Sequence, residues 1–300
     1  MSRFPTRFAL LPTASCLALL AGSPPSAPPE RPTTPGARAE SYPLADPRPI
    51  GWISDTPAGR LDEAGVRALL LAAKEQPADL SGRDLSGLDL HGVDFGRAKL
   101  TGALLSGANL AGANLFTCDL TDAIASEANL NGANLDGTVL RRADFRRATM
   151  IRASLFATIV EGTDLSGADL SESRVIGYLK GANLQGANLR GANMGADPGN
   201  QSMGVMRATF VLANLSGADL TDANLFKTDL SFAKLINAKL IRTELGNSDL
   251  VEADFTGADM TGANLAKADI GGAIFTHARG IKELKGLDQA RNREKAIFDE

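Results

Sequence analysis

Side chains able to make or break bonds are sparse in this chain and far apart. His91 and His277 are separated by more than half of its length. The two cysteines, Cys16 and Cys118, are about a hundred residues apart, and no Cys/His run has the spacing of a metal site. There is no nucleophile elbow and no phosphate loop. Glycine is frequent, but Gly107, Gly112, Gly132 and Gly137 keep a beat of five residues, which is turn chemistry and not a ligand cradle. Two charged groups remain as candidates. Arg141, Arg142, Arg146, Arg147 and Arg152 have the composition of a phosphate site, and Asp229, Asp249 and Asp269 that of a cation site. The expectation is no catalytic residue, no cofactor and no metal.

Whatever positions these residues follows that same beat. From Leu80 an apolar residue recurs at every fifth position, through Leu85, Leu90, Phe95 and Leu100 to Val175, with a lapse at Ala125. The series resumes at Leu179, and again from Phe210 to Phe275. Two residues before each stands something small, such as Ala98, Ala103, Ala108, Ala113 or Cys118. A period of five fits neither a helix nor a strand. It fits a chain that turns by about a right angle every five residues, with the large and the small residue pointing inward. Close packing leaves no room for two bulky residues on one side. Backbone groups then pair with the coils on either side. Cys118 is on this reading a buried hydrophobe.

Units such as Ala108-Asn109-Leu110-Ala111-Gly112 and Ala218-Asp219-Leu220-Thr221-Asp222 resemble the pentapeptide-repeat family, whose unit is written A(D/N)LXX. The resemblance covers residues 78–278. It implies an all-β fold, a right-handed quadrilateral parallel β-helix (a β-solenoid) with four repeats per coil. Nine to ten coils at the ~4.8 Å strand spacing would be about 45 Å long.

Four repeats per coil stack residues twenty apart. Arg142 then falls beside Asp122, Arg147 beside Glu127, Arg152 beside Glu172 and Arg141 beside Glu161. The arginine run reads as a balanced, solvated surface, each pair worth about 0–1 kcal/mol. Lys239 falls between Asp219 and Asp259. Asp79, Asp84, Asp89 and Asp94 ring the first coil, and such side chains commonly bond to local backbone.

Open solenoid ends call for covers. Residues 51–77 are expected to form an N-terminal helical cap, with a helix over Leu61–Gln76 placing Val66, Leu69, Leu70 and Ala73 on one face. Residues 279–300 are expected to form a second helical cap, with Asp288 starting a short helix that reaches Ile297 and Phe298. An alternative for that segment is a homodimer contact. Ahead of the repeat, residues 1–23 carry Arg3 and Arg7, an apolar run from Phe8 to Ala21 and small residues after it, the parts of a signal peptide. Residues 24–50 form a Pro-rich linker. The chain is expected to be exported, to a periplasm or outside the cell, with an organelle (thylakoid) lumen or the cytoplasm as alternatives. No transmembrane segment is expected in the mature chain.

The beat breaks twice. It is one residue short around Ile176-Gly177-Tyr178, and a Gly/Pro loop over 195–204 follows four repeats later, at the same corner. Outward positions leading to that corner include Phe116, Val139, Phe156, Ile159, Ile176 and Tyr178, and the loop offers Asp197, Pro198 and Asn200. An outward apolar stripe is a candidate partner-binding surface. The expected function is a non-enzymatic scaffold that displays its surface to a protein partner. The competing class, known among relatives in this family, is a DNA mimic that inhibits DNA gyrase. A net charge of −4 argues against direct nucleic-acid binding.

Overall fold

The computed structural model describes residues 61–73, 76–196 and 207–299. From Asp79 onward, parallel bridges join residues twenty apart: Asp79 to Lys99, Asp84 to Leu104, Asp89 to Asn109 and Asp94 to Asn114. Consecutive bridged positions are five apart, so four of them complete a coil. We number the four faces by these starting residues, from Asp79 on the first face to Asp94 on the fourth. Both halves of each peptide find partners. The Leu80 N–H donates to the Lys99 carbonyl (2.8 Å), and the Lys99 N–H donates to the Ala78 carbonyl (2.8 Å).

The corners explain the remaining letters of the unit. The Arg83 N–H donates to the Leu80 carbonyl (3.1 Å), and the third residue of that turn, Gly82, has φ 65°. A lone positive φ at the third position defines a type II turn. Where the residue before the large apolar one is Asp or Asn, its carboxylate or amide oxygen accepts the next free corner N–H. Ser81 donates to Asp79 Oδ1 (3.0 Å), and Phe116 to Asn114 Oδ1 (3.2 Å). Asn does more than Asp: its amide also donates to the coil before. Asn109 donates to Asp89, and Asn129 in turn to Asn109 (2.8 and 3.0 Å). Asp can only accept. It accordingly begins this ladder, and also those of Asp94, Asp164 and Asp169.

Both inward positions are shut away from water. Leu80, Ala98, Leu100, Ala103, Leu105 and Cys118 are all fully buried. Where Thr or Ser replaces Ala, the hydroxyl donates to a leucine carbonyl, either of the preceding coil or, as Ser173 to Leu170 and Thr228 to Leu225, three residues back. Thr163 reaches Leu140 (2.6 Å) and Thr243 reaches Leu220 (2.8 Å), so these buried hydroxyls are satisfied.

At the N-terminal side, helix α1 (Glu63–Ala72) packs Val66, Leu70 and Ala73 on the core. Asp62 caps it, accepting the Gly65 N–H at 2.7 Å. The helix is shorter than expected, and Leu69 faces outward, 38% exposed.

The C-terminal helix is not there. Residues 281–295 form three 3-10 turns, Ile281–Glu283, Leu287–Gln289 and Arg293–Lys295. Gly280, Gly286 and Asn292 precede them with φ 75°, 68° and 55°. Left-handed residues six apart interrupt any α-helix. Instead Arg279, Lys285, Arg291 and Ile297 bridge to the previous coil, so the segment is one more coil with six-residue steps. Asp288 caps nothing by its side chain. Phe298 closes a ring stack with Phe275 and Phe255, centroids 4.9 and 5.0 Å apart.

Candidate partner-binding edge

The missing residue at 175–179 reshapes one corner. In two successive coils the chain runs straight through the corner between the fourth and first faces, as strands β1 (Ser154–Ile159) and β2 (Arg174–Tyr178). They pair in parallel, Phe156 with Ile176, Thr158 with Gly177 and Ile159 with Tyr178, leaving Ala157 without a counterpart. β2 is therefore one residue shorter between the same two ladders and passes closer to the core. A Cβ on Gly177 would lie 2.3 Å from the Thr158 carbonyl oxygen, so only glycine fits.

This shortcut corrects one expected surface residue. Ile176 does not face out; it is 1% exposed, drawn inward by the shorter strand. The others divide as follows. Phe116 and Tyr178 are exposed, by 45% and 49%. Val139, Phe156 and Ile159 are half-buried. Val139, Ile159 and Tyr178 stack in successive coils on the first face, between Asp119 and Thr209. Phe116 and Phe156 stand on the adjoining corner, where the Arg174 guanidinium covers the Phe156 ring at 4.1 Å. The second break does fall at this corner, since the chain leaves after Ala196 and is back on the first face at Thr209. Asp197, Pro198 and Asn200 lie outside the described residues.

Further along the same edge the surface becomes charged. Asp229, Asp249 and Asp269 stack on the first face as expected, but guanidinium groups flank them. Arg207 contacts Asp229 and Asp249 (3.7 and 3.5 Å), and Arg291 contacts Asp249 and Asp269 (3.6 and 4.0 Å). Among the described residues no cluster has the makeup of a metal site. An open groove of about 630 Å³ lies here, lined by Arg207, Lys227, Asn247, Asp249, Lys267 and Arg291. The sequence reading missed it because Arg291 comes beside Asp269 by a step of twenty-two residues, not twenty, set by the six-residue steps of the last coil.

The arginine run is a paired surface. Arg142 meets Asp122 and Arg152 meets Glu172, both at 2.6 Å; Arg147 meets Glu127, and Arg141 meets Glu161 at 3.6 Å. Lys239 pairs with Asp219 (3.8 Å), while Asp259 takes Arg279 instead (3.7 Å). Arg146 pairs with Asp144, two residues away in sequence and invisible to the twenty-residue count (2.7 Å). The Arg242 guanidinium holds the Asp222 carboxyl below the usual carboxylate range. Burial pushes the Cys118 thiol up to about 12, leaving no thiolate at neutral pH. His91 lies beside Asp89 in the first coil, and the His277 N–H donates to Asp299 near the last. The two histidines share no site.

Known proteins resemble this arrangement. The profile of pentapeptide repeats matches in eight copies over residues 84–122, 123–162, 178–195, 206–240 and 238–276, more than half of the chain. Among solved structures the chain is similar to HetL, a pentapeptide repeat protein involved in heterocyst differentiation regulation from the cyanobacterium Nostoc sp. The identity is 28% and the TM-score 0.60, over 79% of this chain and 95% of HetL. It is also similar to QnrB1, a plasmid-mediated fluoroquinolone resistance protein, at 20% identity and TM-score 0.28 over 69% of this chain and 90% of that one. A pentapeptide repeat protein of the Arabidopsis thaliana thylakoid lumen is 29% identical, TM-score 0.26, over 36% of this chain and 69% of its own. The last two superpose too loosely to support an argument. A comparison with curated proteins finds no match.

Proposed function

The chain belongs to the pentapeptide-repeat family, with its right-handed β-helix fold, and from that premise we propose that it is a non-enzymatic scaffold whose edge at Phe116, Val139, Phe156, Ile159 and Tyr178 docks a protein partner. One observation carries the reading: a filled interior stands beside an exposed apolar stripe. Leucine, phenylalanine and alanine fill most of the inside, so among the described residues nothing is enclosed that a substrate can enter. Tyr178 and Phe116 keep nearly half their surface in water, at the corner where the repeat is broken. Large aromatic residues are preferred anchors at interfaces. Asp197, Pro198 and Asn200, outside the described residues, are assigned to the same proposed surface. We read the coil as quadrilateral, with α1 as the cover of its first end. The last coil, whose Ile297 is 51% exposed, is the surface for self-association.

A photo-cross-linking side chain at position 178 is expected to capture a protein in cells that the same group at Ile124, an exposed position on the second face, does not. Identical capture at both sites would remove the edge from consideration. The DNA-mimic reading needs a run of unopposed carboxylates, whereas arginines sit against Asp122, Asp144, Asp222 and Asp249. Purified protein is accordingly expected to leave gyrase supercoiling unchanged. Export follows from the leader at 1–23, which lies outside the described residues. Among the described residues no helix is long and apolar enough to cross a membrane.

A further inference from the structure

We propose that the groove between Arg207 and Arg291 is a second binding site, for an acidic peptide segment of a partner. It rests on the reading of the chain as a scaffold, but on residues separate from the apolar stripe.

The argument begins with a rule visible at the corners. Basic residues hold the left-handed turn position at Arg97, Arg142, Arg147, Arg152, Lys227, Arg242 and Lys267. Four of these meet a carboxylate one coil away: Arg142, Arg147, Arg152 and Arg242. The other three make no ion pair among the described residues, and all three stand on the corner between the fourth and first faces. Two of them, Lys227 and Lys267, line the groove, with Asn247 stacked between them. The pairing rule has lapsed at the place where the surface is concave.

Charge and spacing then select the ligand. Four cations and one carboxylate line the groove. Arg207 and Arg291 hold the aspartates only at 3.5–4.0 Å, against 2.6 Å for Arg142 and Arg242 on theirs, so their guanidinium groups can turn to an incoming anion. Lys227 and Lys267 are two coils apart, about 10 Å at the spacing of stacked strands. Carboxylates three residues apart on a polyproline II peptide lie on one side of it, roughly 9 Å apart. Asp229, Asp249 and Asp269, along the groove, confine a short acidic segment to the lysine side.

The test uses the full chain and a fluorescein-labelled hexaglutamate peptide, with anisotropy as the readout. Binding is expected, weakening as salt rises from about 50 to about 500 mM. The K227N/K267N variant is expected to bind about fivefold to twentyfold more weakly. Asn tolerates the left-handed conformation, so this variant keeps the turns intact. A Phe116→Ser variant should bind the peptide like the parent. Hexaglutamate binding that is absent, or unchanged in K227N/K267N, or lost in Phe116→Ser, overturns the proposal. Cross-linking from position 178 is expected to survive K227N/K267N, so the groove and the apolar edge succeed or fail separately.

Discussion

At the scale of single residues, Gly177 tolerates no side chain. Ten of the described glycines sit at turn corners facing open space, where Asp, Arg and Lys hold the same conformation elsewhere in the chain. Gly177 is different: its constraint is the Thr158 carbonyl, part of the strand it pairs with. Gly177→Ala is expected to cost roughly 1–3 kcal/mol, as overpacking does, read as a lower urea midpoint with an unchanged slope. The same change at Gly112, with nothing within 4 Å of the new Cβ, meets only backbone strain and should cost less. Asp222 offers a test of the ladder electrostatics. Its carboxyl is lowered first by the hydrogen bond from Arg242. A depressed carboxyl contributes stability that is present above the unfolded value near 3.8 and lost as pH falls through the lower folded value. An NMR titration should place Asp222 below 3.8, and Arg242→Gln should return it toward that value.

At the scale of elements, the C-terminal coil shows how a pattern can be read correctly and its geometry wrongly. Ile281, Leu284 and Leu287 are spaced as on a helix, and they do pack on the core. Yet Gly280 and Gly286 lie against the previous coil so closely that a Cβ would come within 2.4 Å of Thr261 and 2.6 Å of Ala266. Those contacts decide for a coil of six-residue steps. The Phe255–Phe275–Phe298 stack ties this coil to the repeats. Phe275→Ala should cost about 3–5 kcal/mol. In hydrogen exchange the loss of protection should concentrate after about residue 250 and leave the coils around Leu110 unchanged, because each coil contacts only its neighbours.

At the scale of the whole molecule, nearest-neighbour stacking predicts a gradient. Amides in the middle coils should exchange most slowly, and those near Asp79 and Lys285 fastest. Uniform protection from end to end would contradict a stack held by local contacts. Location is a separate question with its own measurement. Intact mass of the natively expressed chain is expected to show a start after about residue 23, in an exported fraction. An unprocessed cytosolic chain would refute export and return the gyrase-directed reading to first place.

Much of this protein is written locally. The beat from Leu80 to Phe275 states the inward positions, and the twenty-residue count derived from it places Arg142 on Asp122 and Arg152 on Glu172. That works because a solenoid converts sequence distance into spatial distance by a constant rule. The tertiary structure decided what happens where the constant changes. Burying Ile176 required knowing that β2 takes the short path across its corner. Bringing Arg291 to the groove that Arg207, Lys227 and Lys267 line required the twenty-two-residue step from Asp269 into the last coil. The last coil required the close approach of Gly280 and Gly286 to the coil before. In each case a backbone path chosen between neighbouring coils, not a local preference, determines which side chains meet.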